Sequence, residues 1–402
     1  LAHTRAWGTL WQNRYGQKER AGEVIAMELR KKKGAFAGSS MKRKAVSSRN
    51  ERLQRPVGSL RPGKKRNLSK FALRSSPRTS INWKLWGELA GREDALHYPK
   101  PEDGIQRKWV NSLWLERLKQ KPFDNRTWKH YWDAVKGYLT GYSLVSGINI
   151  KEWMLLPTDR TVSVVISVMN EETTVMNVLH QLQRMPLKEI IVVVNGSGDS
   201  TFQKVRKGSN AIVVHYPEPL GYDVGRAIGS KLTGADIVVY VDGDMTIAAE
   251  QLIPFIAAID RGADVALNHI SPYLKTYAHW DAVSKVKKLI NVSLSRPDLG
   301  VDSLTAVPHA LSRKALDTIG TEHLMVPPKA QALALAKGLV VTAPWSVDVI
   351  TTNRVNQHNA GAHNSVSDMI IGDHIEALHA VQKLGGERLS FIDLIRKRSY
   401  LA

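Results

Sequence analysis

The chain contains no cysteine, which excludes disulfides, thiol nucleophiles and cysteine-based zinc sites and leads us to expect a cytoplasmic location. It also lacks any apolar run near the ~20 residues that a membrane-spanning helix requires. A soluble or peripheral protein is expected. No secretory signal is expected either, because the early basic stretches are not followed by an apolar core. A P-loop is excluded, since Gly-x-x-x-x-Gly-Lys-Ser/Thr does not occur. Acidic residues are scarce at the start: residues 1–80 hold 21 Lys/Arg against 4 Asp/Glu, so +17 of the net +20 belongs to this tail. Runs such as Arg30-Lys31-Lys32-Lys33 and Lys64-Lys65-Arg66 sit among Ser, Gly and Pro without apolar periodicity, a composition that predicts disorder. Such a tail can attach to an anionic membrane surface at about 1 kcal/mol per basic residue, and no base-reading motif points to a specific nucleic acid. The chain begins at Leu1, and Met41 is a second candidate start, which would leave residues 1–40 outside the protein.

What is present is an alternation of buried strands and amphipathic helices. Thr161–Val168 is a β-branched run ending in Met169-Asn170-Glu171-Glu172, followed by Val175, Val178, Leu179 and Leu182 at helical spacing. Glu189–Val194 delivers the polar loop Asn195-Gly196-Ser197-Gly198-Asp199, and Ala211–His215 is a shorter strand. The glycine-punctuated segment Leu220–Ala227 opens a helix running toward Thr233. After it, Ile237–Val241 ends in Asp242-Gly243-Asp244. Two carboxylates at a strand's end, with a glycine between them for a tight turn, can share a hard cation such as Mg²⁺ or Mn²⁺ through oxygen ligands. The tripeptide alone is also ordinary turn chemistry. Its neighbours carry the inference, because a parallel α/β sheet gathers ligands outside the carboxyl ends of its strands. A dinucleotide oxidoreductase does not fit: the turn after the first strand has no glycine, and its two acids would repel a pyrophosphate.

Residues 81–157 form a separate Trp-rich region, with Trp109, Leu113, Leu115 and Leu118, and then Trp128, Tyr131, Trp132, Val135 and Tyr138, at helical spacings. Buried helices beside the sheet explain these tryptophans most simply. Stacking on sugars or lying at a membrane interface are the alternatives. The expected organisation is a basic tail over 1–80, this helical region over 81–157 and an α/β domain over 158–402.

The stretch from Thr161 to Val349 resembles family 2 glycosyltransferases of the GT-A fold, which have a mostly parallel, Rossmann-like sheet flanked by helices. The resemblance rests on Asn170-Glu171, on Val194-Asn195-Gly196-Ser197-Gly198-Asp199, on the Gly221–Ile228 loop and on Asp242-x-Asp244, in that order. It implies transfer of a sugar from a nucleotide-diphosphate donor to an unidentified acceptor, a polyprenyl phosphate being one class. It places Glu171, Asn195, Gly196, Gly221, Asp223 and Asp242 around the nucleotide sugar, and Asp242 and Asp244 on a divalent metal. A late His often supplies a further ligand in this fold, which nominates His358 or His363. Asn195 stands where the family usually has an acid.

The resemblance also implies a base for inverting transfer, from a Glu-Asp pair ahead of a late strand. The corresponding place here is Val326-Pro327-Pro328, with no acid. By residue type, Asp302, Glu322, His323 and Asp373 are the substitutes. Two alternatives follow from that gap. The chain could resemble the retaining GT-A transferases that make glucosyl-phosphoglycerate, which need no such base, or it could be a non-catalytic nucleotide-sugar-binding protein. Arg313, in His309-Ala310-Leu311-Ser312-Arg313, resembles the family's acceptor-side segment.

Overall fold

Strands β1 (Val162–Val168), β2 (Glu189–Asn195) and β4 (Ile237–Asp242) are buried along nearly their whole length, as continuous Val/Ile runs covered on both faces must be. The computed structural model describes residues 81–98, 106–121, 123, 127–351 and 365–396; the basic tail and both late histidines, His358 and His363, lie outside the described residues. With β3 (Ile212–Tyr216), β5 (Val265–Asn268), β6 (His309–Ser312) and β7 (Val341–Trp345), the strands form one sheet in the order β3-β2-β1-β4-β6-β5-β7. Strand β6 is antiparallel to both neighbours, β4 and β5, and the remaining pairings are parallel. The connections leave β1 toward β2 on one side and toward β4 on the other. This makes the crevice between β1 and β4 the topological switch point, where a ligand is expected. Ser167 pairs with both Val193 and Asp242, so the loops after β1, β2 and β4 emerge level with one another.

Alternation along the strands separates two cores. Val164, Ile166, Val192, Val239 and Val241 face one side, and Val165, Ile191, Val193, Val238 and Tyr240 face the other. The first core takes in helices α1 (Trp83–His97), α2 (Arg107–Gln120), α3 (Trp128–Ser146), α4 (Val175–Gln183) and α7 (Ala249–Asp260). Helix α5 (Thr201–Gly208) also lies on this side through Val205. The second core is covered by α6 (Val224–Leu232), α8 (Ala282–Ser293), α9 (Arg313–Ile319), α10 (Pro327–Ala336) and α11 (Ser365–Gly385). Among the described residues no helix is long and apolar enough to cross a membrane.

The Trp-rich region is part of the first core. Trp114 and Trp128 are buried, and Trp83, Trp86, Trp109, Trp132 and Trp153 pack against the same cluster. Its polar anchor is Asp94, buried between Arg117 (2.5 Å) and the Tyr138 hydroxyl (2.7 Å). Helices α1 and α3 meet through glycines. A Cβ at Gly91 would lie 2.0 Å from the Tyr138 carbonyl oxygen and one at Gly141 would lie 2.0 Å from that of Glu88, so neither helix accepts even a methyl group there without separating. Gly91→Ala is therefore expected to destabilise the fold by about 1–3 kcal/mol, measured by urea denaturation. Gly372→Ala is the control: that helical site is open, and alanine there should be neutral or stabilise by up to about 1 kcal/mol. Equal effects of the two substitutions would contradict the close-contact account.

Candidate active site

The loops leaving the carboxyl edge are tied to one another. Asn170, at φ 58, accepts from Gly198 N (2.9 Å) and donates its own N–H to Ser197 Oγ (3.0 Å). Glu171 N–H donates to Thr201 Oγ1 at 2.9 Å. Thr174 Oγ1 lies 2.8 Å from Glu171 Oε2 and 2.8 Å from the Gly243 carbonyl oxygen, so one hydroxyl links the Asn-Glu loop to the Asp-Gly-Asp turn. Gly243 is required there by contact, since a Cβ would come within 2.2 Å of Val168 Cγ1.

Asn195 is bonded to the neighbouring loop. It is buried, and its amide accepts from Leu220 N (2.7 Å) while donating to the Gly221 carbonyl (2.8 Å). An ionised aspartate could not make the second bond, because it only accepts. Asn195 thus holds the Leu220-Gly221 turn. Gly196 meets the same loop: at φ +71, its missing Cβ would lie 2.6 Å from Pro219 Cα.

At the switch point one buried guanidinium serves several acceptors. Arg226 reaches Asp223 (2.9 Å), Asp242 (3.3 Å) and the Leu304 carbonyl (3.1 Å). Helix α6 can lie this close to the sheet because Gly225 packs on Ser167 and Gly229 on Val165. Asp223 is pushed above the usual carboxylate range by burial and by Asp242, against the pull of Arg226. Asp373, on α11, is raised to about 6 by burial, by Asp223 and by Glu376. Acid therefore exceeds base around Arg226. Because the folded protein holds the Asp373 proton more tightly than the unfolded chain, this carboxyl's contribution is fully present below about pH 4. It is lost as pH rises through about 6. Asp373→Asn should accordingly melt higher than wild type at pH 7, with the gap closing toward pH 4. A gap independent of pH would remove Asp373 from this cluster.

Asp302 does not act from an open position. It is fully buried; its Oδ1 accepts from Ile270 N (2.9 Å), Ser271 N (3.1 Å) and Ser271 Oγ (2.9 Å), and its Oδ2 lies 2.6 Å from Nδ1 of His269. The exposed partner is His269, immediately beyond β5. The loop carrying Asp302 is fixed by two buried amides: Asn291 Nδ2 donates to the Gly300 and Asp302 carbonyls, and Gln331 donates to Asp302 O while accepting from Leu304 N. Thr305 Oγ1, next along this loop, is buried without a hydrogen-bond partner.

Arg313 corrects the acceptor-side expectation. It opens α9 and donates to the Ala235 (3.1 Å) and Thr233 (2.8 Å) carbonyls. Because β6 runs antiparallel, with Ser312 opposite Ile237, Arg313 falls at the amino end of β4, the edge away from Asp242. Glu322 and His323 lie in the short helix Thr321–Met325. The His323 imidazole is lowered by burial and by Lys329, and Lys329 pairs with Glu376 on α11 at 2.8 Å. The short helix that holds them packs against α6 and α10. Arg226 and His269 were not singled out from the sequence. For Arg226, a basic residue at the start of the glycine-rich helix was the available signal; for His269, its place directly after the short run Val265–Asn268.

The family model described as glycosyl transferase family 2 matches residues 163–319. No curated protein matches. Similar solved structures include glucosyl-3-phosphoglycerate synthase from Mycobacterium tuberculosis in complex with Mn²⁺, UDP and phosphoglyceric acid, at 18% identity over 59% of this chain and 81% of that one, TM-score 0.42. The same enzyme with Mg²⁺ and UDP gives 18% identity over 55% and 79%, TM-score 0.41. A further crystal structure of it gives 19% over 59% and 83%, TM-score 0.40. The strand order, the switch-point turn and the matched segment lead to one conclusion: residues 163–319 form a family 2 glycosyltransferase domain of the GT-A fold, and the protein is a glycosyltransferase that uses a nucleotide sugar.

Proposed function

We propose that the protein transfers the sugar of a nucleoside-diphosphate donor to an acceptor hydroxyl, with Mg²⁺ or Mn²⁺ held by Asp242 and Asp244 against the diphosphate. The observation that carries this reading is the excess of carboxylate at the switch point, where Asp223 and Asp242 share the buried guanidinium of Arg226 and Asp373 adds a further carboxyl beside Asp223. Among the described residues no group of three or more His, Cys, Asp or Glu is assembled as a ligand set. That suits Mg²⁺, which is commonly bound through one or two carboxylates plus substrate phosphates rather than in an all-protein cage. When bound, the metal neutralises charge developing on the departing diphosphate.

The chain's own residues supply the frame. Thr174 keeps the Asp-Gly-Asp turn in register with the Glu171 loop, and Arg226 orients Asp242 from below. Glu171, Gly196 and Gly221 face the nucleoside in this reading, while Asn195 fixes the Leu220-Gly221 loop that closes over it. Calorimetry with UDP and GDP as probes tests the assignment. Binding should be at least about tenfold tighter with Mn²⁺ than in EDTA, a difference near 1.4 kcal/mol. Equal affinity in EDTA would sink the metal site.

A further inference from the structure

We propose that His269, held by the buried carboxylate of Asp302, is the base that accepts the proton of the acceptor hydroxyl. The inference rests on the glycosyltransferase reading above and adds the residue that takes the proton.

The first support is position. The register of β6 on β4 pairs Tyr240 with His309, and its register on β5 pairs Ala266 with Ala310. Strands β4 and β5 both run antiparallel to β6, which lies between them, so Asp242, which ends β4, and His269, which follows β5, stand at the same carboxyl edge of the sheet with one strand between them, about 10 Å if the strands keep their usual spacing. Asn268 strengthens the placement, because its side chain donates to the Val307 carbonyl at 2.8 Å.

The second support is preorganisation. Three donors occupy Asp302 Oδ1, leaving Oδ2 to His269 Nδ1. A carboxylate accepts hydrogen bonds, so Nδ1 is the donor in this pair and Nε2 is the ring atom left to meet an acceptor hydroxyl. The His269 side chain is 41% exposed while Asp302 is 1% exposed: an accessible base on a hidden anchor. The anchor is braced through Asn291 and Gln331, and the same loop supplies the Leu304 carbonyl to Arg226. Base and donor subsite thus share one rigid segment.

The third support is elimination. The place where a Glu-Asp pair is expected opens α10 as Val326-Pro327-Pro328, and Asp373 belongs to the Asp223 cluster. In the step itself, the acceptor oxygen forms its bond to the anomeric carbon as its proton passes to His269 Nε2. The bond from that carbon to the diphosphate oxygen breaks, and the nucleoside diphosphate leaves with the electron pair. The imidazolium then releases its proton to water. His269 is the catalytic residue here and Asp302 a positioning residue.

Azide provides the test, because it is a nucleophile with no proton to lose. Wild type, His269→Ala and Asp302→Asn are assayed with Mn²⁺, UDP-glucose or GDP-mannose, and either glycerol or sodium azide. In His269→Ala, transfer to glycerol should fall about 10²- to 10⁴-fold, while UDP or GDP affinity and transfer to azide stay at wild-type levels. Asp302→Asn should show the same split; should it fail to fold, His269→Ala carries the test alone. Equal loss with glycerol and azide, or no loss with glycerol, would overturn the inference while leaving the glycosyltransferase reading standing. Absence of nucleotide release from wild type with every combination would overturn both.

Discussion

Arg226→Ala is expected to remove about 3–5 kcal/mol of folding stability, the scale for breaking a buried ion pair by deleting one partner. The guanidinium is buried, and its loss strands Asp223, which burial already pushes toward its neutral form. It also leaves the Leu304 carbonyl without its donor, so that the loop carrying Asp302 loses its tie to the switch point. Urea denaturation followed by circular dichroism at pH 7 reads the effect. The double variant Arg226→Met, Asp223→Asn should recover part of the loss, because it removes the uncompensated charge as well as its partner. A single-variant loss below about 1 kcal/mol, the range of exposed pairs, would mean that water reaches this cluster.

Asp242→Asn should have the larger effect on activity. The substitution keeps the size of the side chain and an oxygen toward Arg226 but removes the charge that faces the metal. Turnover is expected to fall about 10²- to 10³-fold, the scale of losing one preorganised electrostatic contact in a transition state. Melting should change little, since Asp242 is partly exposed and its distances to Arg226 are long, 3.3 and 3.5 Å. Asp244→Ala should weaken Mn²⁺-dependent UDP or GDP binding in parallel. Full turnover in Asp242→Asn would place the metal elsewhere.

The parts of this architecture legible in the sequence are those set by local pattern. Continuous Val/Ile runs mark β1, β2 and β4 because both faces of a central parallel strand are apolar, and the polar residues ending those runs mark the edge where the site lies. The separation of Asp242 and Asp244 by a glycine was readable as turn chemistry in advance of any fold. Contacts set by topology were not readable. Arg313 follows a strand that reverses direction, which carries it to the wrong edge. Asp302 is a carboxylate like any other until the chain folds three donors onto one of its oxygens and His269 onto the other. Asn195 fills a position expected to be acidic, and only the bonds to Leu220 and Gly221 show that an amide, able to donate and accept, is what the loop requires. The glycines of α1 and α3 lie four residues apart in each helix, yet their purpose depends on the partner helix crossing at that point.

The most direct measurement of the central claim is nucleotide release from a panel of UDP- and GDP-sugars with Mn²⁺, in the presence of candidate acceptors that include phosphoglycerate, glycerol and polyprenyl phosphate, for wild type and Asp242→Asn in parallel. The account predicts that at least one donor is consumed by wild type, that EDTA stops the reaction and that Asp242→Asn reduces it about 10²-fold or more. Binding of nucleotide without turnover of any donor, or turnover indifferent to EDTA and to Asp242, would contradict it.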